Sequence, residues 1–142
     1  MDHEFIISTE LQLVLEIIGG EVNLHEMRKA GEQVGNEPDF QNTLNQLTLV
    51  DRNIDIQLSG DDIRSLSHRL AAFSKQSLRA FFVPDNPLAF GLGRMFEQER
   101  GGSAGVIGIF TDFDEACEFV GTTRADVLRI WPSLIDQINP TG

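Results

Sequence analysis

Three times along the chain, a short apolar run is followed by a polar helix-capping position and then by apolar residues at helical spacing. The three copies run from Leu44 to Phe73, from Leu78 to Phe96 and from Gly105 to Val120. Short apolar runs predict buried strands, and apolar positions three and four residues apart predict helices. This alternation predicts an open, mostly parallel sheet with helices packed against it.

The two ends of the chain extend the pattern. Phe5 to Ser8 and Leu11 to Ile18 are predicted to be strands, and the two residues between them allow only a tight hairpin, so the pair is antiparallel. Thr122 or Thr123 begins a final helix that Pro132 kinks or restarts. The apolar stripe of this C-terminal helix is formed by Val127, Trp131, Leu134, Ile135 and Ile138.

The predicted fold class is therefore α/β. It has a single mixed, mostly parallel sheet of about five strands with an antiparallel first strand, four helices and an extra C-terminal helix. The length of 142 residues suits one domain. Residues 1–121 form its body, and residues 122–142 are an appended helical segment of the same domain. The pattern leaves open whether residues 51–58 add another strand.

Polar residues mark where each helix begins. Capping boxes, in which a cap and the residue three positions later bond reciprocally, are predicted at three starts, and a cap followed by proline at a fourth. The predicted pairs are Asn23 with Glu26, Ser59 with Asp62, Thr111 with Asp114, and Asn86 with Pro87.

The net charge of the chain limits the classes of partner that it is expected to bind. Its 22 acidic and 11 basic residues give a formal net charge of -11. Such a field repels phosphate backbones and anionic lipid surfaces, so neither nucleic acid nor a membrane is an expected partner. The excess of acidic residues favours solubility of the protein, or it provides an acidic face that binds a basic partner.

The single cysteine and the N-terminal residues indicate the cellular compartment in which we expect the protein. Cys117 has no intrachain partner and lies on the apolar side of a predicted helix, so we expect a buried, inert thiol. The first ten residues, MDHEFIISTE, do not resemble a secretory signal, and no segment is apolar enough to insert into a membrane. A reducing cytoplasm of bacterial type is the expected location.

Catalytic signatures are missing from the sequence. Three isolated histidines are expected at the surface and form no metal-binding pattern. Aspartates follow three predicted strands, where α/β sites usually form, but no nucleophile, base or metal set completes them. We therefore expect a protein that is not an enzyme and needs neither metal nor cofactor. The histidines are His3, His25 and His68, and the aspartates are Asp51, Asp85 and Asp112.

Three stretches carry a resemblance to a known family. They are LTLVDRN at residues 47–53, FGLGRMFEQE at residues 90–99 and VIGIFTDFDEACEFVG at residues 106–121. The second resembles the aromatic-Gly-x-x-Arg-Met-Phe helix of SpoIIAA-like proteins, and the third resembles their closing strand and helix. This group is similar in fold to STAS domains and to CRAL-TRIO lipid-binding domains.

The resemblance implies a non-enzymatic regulatory or protein-interaction module with a protein partner. STAS proteins are switched by phosphorylation of a serine at the start of the second helix, and Ser59 occupies about that place. From the residues alone, Ser59 is a helix cap. The candidate interaction surface comprises Gly60, Asp61, Arg64, Phe90, Arg94 and Glu97.

Two alternatives stay open. The resemblance to CRAL-TRIO domains implies a carrier of a lipid or another small apolar ligand, and six phenylalanines are candidates to line its cavity. A homodimer is the second, because an amphipathic C-terminal helix must bury its stripe on its own domain or on a second copy. The phenylalanines are Phe81, Phe82, Phe90, Phe96, Phe110 and Phe113.

Overall fold

The computed structural model describes residues 1–73, 77–99 and 106–139, with the side chains of 67–73, 96, 97, 99 and 106 left outside that description. Five strands form the main sheet and two short strands form a second. The main strands are β1 (Asp2–Ser8), β2 (Leu13–Gly19), β4 (Asn45–Val50), β6 (Leu78–Phe82) and β7 (Val106–Phe110), and the short ones are β3 (Glu21–Val22) and β5 (Asp55–Ile56).

The main sheet has the strand order β1-β2-β4-β6-β7. β1 is antiparallel to β2, and every other neighbouring pair is parallel. The predicted α/β fold with a mixed, mostly parallel sheet is confirmed. Residues 51–58 contribute β5, which pairs in parallel with β3 beside the main sheet.

The strand order explains where the helices lie. Each parallel strand is added on the same side of its predecessor, so right-handed crossovers place the connecting helices on one face. These helices are α1 (Leu24–Gly35), α2 (Gly60–Phe73) and α3 (Pro87–Glu99). The elements after β7 cover the opposite face: α4 (Phe113–Phe119), α5 (Arg124–Ile130), a 3-10 turn (Pro132–Leu134) and α6 (Ile135–Ile138).

The C-terminal segment belongs to the core of the domain. Val127 and Leu134 have no exposed surface and pack with Leu13, Leu47 and Phe82 from the far face of the sheet. Three of the five residues in the apolar stripe, Val127, Leu134 and Ile138, are therefore covered by their own chain. Trp131 is partly buried against the same core, and Ile135 is 39% exposed. The burial of the stripe removes the argument for a dimer through this helix.

The predicted interruption of the C-terminal helix at Pro132 is confirmed: the stretch forms two helices with a 3-10 turn between them. α5 ends at Ile130, two residues before Pro132. Proline has no backbone N–H to donate and its ring clashes with the preceding turn, so a helix cannot run through it unbroken. The 3-10 turn begins at Pro132 itself.

Most of the predicted helix starts are confirmed. Ser59 N donates to Asp62 Oδ2 at 2.9 Å and Asp62 N donates to Ser59 Oγ at 3.1 Å, which is a complete capping box. Asn86 accepts from Ala89 N at 3.1 Å. The prediction for Thr111 is wrong: Asp112 is the cap of α4 and accepts from Glu115 N.

Glycine allows one close approach between a helix and the sheet. A Cβ atom on Gly93 would lie 3.1 Å from Ile109 Cδ1, so α3 rests directly on β7 at this position. The same atom on Gly91 would meet nothing within 4 Å. Of the two glycines in the GLG stretch, only Gly93 serves the helix–sheet contact.

Candidate functional site

A cavity of about 290 Å³ lies between the sheet and the three helices α1, α2 and α3. We call it the sheet–helix cavity. Native interiors are normally packed as densely as organic crystals, with few voids larger than a water molecule. A cavity of this volume is close to the lower end of the ligand pockets found in proteins, about 300–1,000 Å³.

Most of the wall is aliphatic. Strands β2, β4 and β6 contribute every second residue, because side chains of a strand alternate between the two faces of the sheet. Helices α2 and α3 close the opposite side with Ile63, Leu66, Ala89 and Leu92. The apolar residues from the strands and their connections are Ile18, Val22, Phe40, Val50, Ile54, Ile56, Leu58, Phe81 and Val83.

One end of the sheet–helix cavity is polar. Glu16 of β2 is only 7% exposed, although it interrupts an otherwise apolar strand. Its Oε1 accepts from Gln46 Nε2 at 2.8 Å and from Thr48 Oγ1 at 2.8 Å. Gln46 Oε1 in turn accepts from Arg79 Nη1 at 2.6 Å. Buried polar groups need such partners, because an unmade hydrogen bond in the interior is costly.

His3 completes this polar network, which comprises His3, Glu16, Gln46, Thr48 and Arg79. The Nε2 atom of His3 lies 2.6 Å from Glu16 Oε2, and the side chain is 8% exposed. The hydrogen bond to Glu16 raises the pKa of His3 because it favours the charged imidazolium, and burial opposes this effect. The expectation that His3 is a surface residue is therefore wrong. His25 is exposed, and the side chain of His68 lies outside the described part.

Arg28 lines the sheet–helix cavity from α1. Its Nη2 donates to Ser65 Oγ of α2 at 2.7 Å. Its Nε is buried and has no hydrogen-bond partner. Arg28, Arg79, Glu16 and Glu32 all line the cavity, so its wall holds two guanidinium groups and two carboxylates.

The cavity opens to solvent along α1. Gly31, Glu32 and Asn36 line it and are themselves exposed. Gly31 and Gly35 lie one turn apart, and a Cβ atom at either position would meet nothing within 4 Å. Glycine inside a helix costs about 1 kcal/mol relative to alanine. At these two positions, the missing side chains leave the entrance unobstructed.

The predicted interaction surface lies elsewhere, where the start of α2 meets α3. A Cβ atom on Gly60 would be 3.9 Å from Arg64 Nη2 and 3.9 Å from Met95 Cε, so the two proposed patches are neighbours. Arg64 forms an exposed ion pair with Asp61 at 2.8 Å. Ser59 is exposed and caps α2, and its phosphorylation stays a prediction.

The α3 half of that surface is only partly described. Arg94 Cζ lies 5.4 Å from the centre of the Phe90 ring, in a cation–π contact. The side chain of Glu97 lies outside the described part. None of the surface residues Gly60, Asp61, Arg64, Phe90 and Arg94 lines the sheet–helix cavity.

The prediction of a phenylalanine-lined cavity is corrected. Of the six candidates, Phe81 lines the cavity. Phe82 and Phe113 pack edge to face on the other side of the sheet, with ring centres 5.2 Å apart, and Phe110 packs on Phe119 there. Phe90 packs beside the cavity without lining it, and the side chain of Phe96 lies outside the described part.

The strand-end aspartates have local structural roles. Asp51 Oδ1 accepts from Asn53 N, and Asp112 caps α4. Asp85 is exposed with a φ of 47°, a backbone conformation that asparagine and aspartate tolerate better than most residues. Over residues 1–73, 77–99 and 106–139, no group of three or more histidine, cysteine, aspartate or glutamate side chains is arranged to hold a metal ion.

Sequence reasoning missed the polar residues and the entrance of the cavity, although three signals pointed to them. Glu16 is the one charge in an apolar strand, and such a residue needs a buried partner. Gln46 and Thr48 alternate with leucines in β4, and Gly31 and Gly35 leave one face of α1 bare. The strand pairing that joins these positions was not readable from the sequence.

Comparisons of the chain with protein-family models, with curated proteins and with solved structures found no match. Among the described helices, none is both long and apolar enough to cross a membrane. The sheet–helix cavity is thus the feature from which a function is inferred.

Proposed function

We propose that this domain is a non-enzymatic binding module that holds a small, mostly aliphatic ligand in the sheet–helix cavity. The observation that carries the proposal is the cavity of about 290 Å³, open along α1 and lined by aliphatic side chains with a polar end. Pockets for small molecules combine an apolar lining with a few placed polar groups. This arrangement matches the apolar-ligand carrier that the resemblance to CRAL-TRIO domains implies.

The polar end favours a ligand over an empty void. Cavities that stay empty are lined by apolar groups, whereas the charged side chains of Arg28 and Arg79 form part of this wall. The guanidinium of Arg28 donates to the neutral hydroxyl of Ser65 and forms no ion pair with a carboxylate among the described residues. A ligand that carries an acceptor group finds a charged donor there.

Calorimetric titration of the purified full chain with decanol and with decanoate tests the proposal. At least one compound is expected to bind, and amide shifts in NMR spectra are expected to map to α1, β4 and β6. Gly31→Leu, which places a side chain at the cavity entrance, is expected to weaken binding. Gly91→Leu is the matched control, because Gly91 is a helical glycine with open space around it that does not line the cavity.

Failure of both compounds to bind the wild-type chain contradicts the proposal. Shifts confined to residues outside the cavity contradict it as well. Native mass spectrometry of protein purified from its own host supplies an independent result. A discrete adduct that is absent from the Gly31→Leu protein supports a natural ligand, and an apo mass for both proteins counts against one.

A second function is proposed for the surface where α2 meets α3, namely docking of a protein partner in a regulatory module of SpoIIAA-like type. The supporting observation is the exposure of two large apolar residues of α3, Leu88 at 68% and Met95 at 42%. In-cell crosslinking tests it: Leu88→Glu with Met95→Glu is expected to abolish a specific crosslinked species. Ile135→Glu, on the other side of the sheet, is expected to retain that species, and loss in both variants contradicts the assignment.

A further inference from the structure

The two guanidinium groups in the wall of the sheet–helix cavity determine which ligand head groups it favours. Both Arg28 and Arg79 line the cavity. Arginine is always charged and offers five N–H donors in a planar fork that matches a carboxylate or a phosphate. A ligand carboxylate placed between the sheet and α1 therefore finds charged hydrogen-bond donors in the wall.

One of the two carboxylates in the wall, Glu16, already has hydrogen-bond partners on both of its oxygens. Its two oxygens have contacts with Gln46, Thr48 and His3 at 2.6–2.8 Å. The raised pKa of His3 means that an imidazolium faces this carboxylate over a wider pH range. His3 of β1 therefore balances the negative charge of Glu16. Glu16 does not need a positively charged group of a ligand as a partner.

The second carboxylate, Glu32, lies at the open side. It is solvent-exposed and has an interaction within the protein. Charges that face water are screened, whereas buried ones are screened much less. Arg28, in contrast, is half-buried, and its guanidinium donates to the neutral hydroxyl of Ser65 rather than to a carboxylate among the described residues.

We infer that the sheet–helix cavity takes an aliphatic monocarboxylate, with the carboxylate on the guanidinium of Arg28 and the chain along the aliphatic wall. The inference rests on the proposed function and specifies its ligand class. Charge-assisted hydrogen bonds are roughly twice as strong as neutral ones, which favours a carboxylate over an alcohol. A single negative charge also suits a protein of net charge -11 better than a phosphate dianion does.

The test compares three compounds with the same chain and different head groups: decanoate, decanol and decyltrimethylammonium. Affinities for the full-length protein are measured by calorimetry at constant pH and salt. Decanoate is expected to bind about tenfold or more tightly than decanol, because the charged hydrogen bond is made only by the acid. Decyltrimethylammonium is expected to bind most weakly, because its cation would take the place of the carboxylate beside the positively charged Arg28.

The Arg28→Met variant tests whether Arg28 recognises the head group of the ligand. Methionine keeps an unbranched apolar stem and removes the charge, so the preference for decanoate over decanol is expected to disappear while decanol binding persists. Arg64→Met is the matched control, since Arg64 is exposed, pairs with Asp61 and does not line the cavity. This variant is expected to keep the wild-type preference.

The outcomes separate this inference from the proposed function. Equal binding of decanoate and decanol by the wild type overturns the inference and leaves a carrier of neutral ligands. A preference that survives in a folded Arg28→Met protein also overturns the assignment. Absence of binding by all three compounds overturns the proposed function itself.

If Arg28→Met does not fold, the NMR signal of the Arg28 Nε–H group in the wild type replaces that test. The signal is expected to shift with decanoate and not with decanol, and the reverse result rejects the assignment.

Discussion

His3 and Glu16 join the edge strand of the sheet to its neighbour through a buried contact, with His3 Nε2 at 2.6 Å from Glu16 Oε2. The two residues are diagonal partners, since His3 lies opposite Ile18 and Glu16 lies opposite Phe5 in the antiparallel ladder. The His3 ring also stacks on Phe5, with ring centres 5.4 Å apart. The titratable side chain of His3 thereby links β1 to the polar network beside the cavity.

The stability of the fold is expected to depend on pH through this contact. The pKa of His3 is raised above its ordinary 6.5, chiefly by the hydrogen bond to Glu16. The folded state therefore binds the proton more tightly than the unfolded state. The stabilisation is complete below pH 6.5 and is lost as the pH rises through the raised value.

Urea unfolding of the wild type and of His3→Leu at several pH values measures this effect. The variant is expected to lose about 1–3 kcal/mol at acidic pH, because the Glu16 carboxylate loses a charged partner, and less at alkaline pH. Titrations of other groups cancel in the difference between the two proteins. The exposed His25→Leu serves as control, and a difference for His3→Leu that is constant with pH would contradict the coupling.

Gly108→Ala in β7 is expected to destabilise the protein by about 1–3 kcal/mol, the usual cost of overpacking. A Cβ atom there would lie 2.6 Å from Phe110 Cε2 and 3.3 Å from Phe119 Cζ, and these two rings pack on each other. Gly91→Ala should instead leave stability unchanged or improve it, because its Cβ has open space in a helix. Thermal unfolding of both variants is the measurement, and equal midpoints would refute the crowding at Gly108.

Leu134→Ala is expected to cost about 2–5 kcal/mol, the range found when a buried leucine is truncated. Leu134 has no exposed surface and covers the far face of the sheet. Its neighbour Ile135 is 39% exposed, so Ile135→Ala should cost much less. Chemical denaturation reports both values. A small loss at Leu134 would mean that the C-terminal segment does not seal the core.

Cys117 is expected to resist alkylation in the folded protein. Burial raises the pKa of its thiol to about 12, so the reactive thiolate is scarce near neutral pH, and the side chain is inaccessible. Mass spectrometry after iodoacetamide treatment is expected to find the label only when urea unfolds the chain. Rapid labelling of the native protein would contradict the burial of this residue.

Local patterns were enough to predict several parts of this structure. The capping box of Ser59 with Asp62 and the Asn86 cap depend on residues within one turn, and they formed as the sequence indicates. At α4 two polar residues compete for the cap, and Asp112 holds it rather than Thr111 because the helix begins at Phe113. Thr111 and Asp112 are both suitable caps, so the sequence pattern cannot decide at which of the two the helix begins.

The candidate site was harder to foresee because it depends on contacts distant in sequence. Glu16 meets Thr48 and Gln46 across β2 and β4, and Gln46 meets Arg79 on β6. Each is an isolated polar residue in its own strand. The phenylalanines mislead for a related reason: strand alternation sends Phe81 and Phe82 to opposite faces of the sheet, and only one face carries the cavity.

The sequence by itself determined the succession of strands and helices, the antiparallel opening and the burial of Cys117, since these follow from hydrophobic periodicity and local hydrogen bonding. The tertiary structure alone decided which face each helix covers, where the C-terminal stripe is buried and which polar residues meet. Those outcomes depend on strand order and register, which bring residues such as Glu16 and Gln46 together although 29 others separate them along the chain.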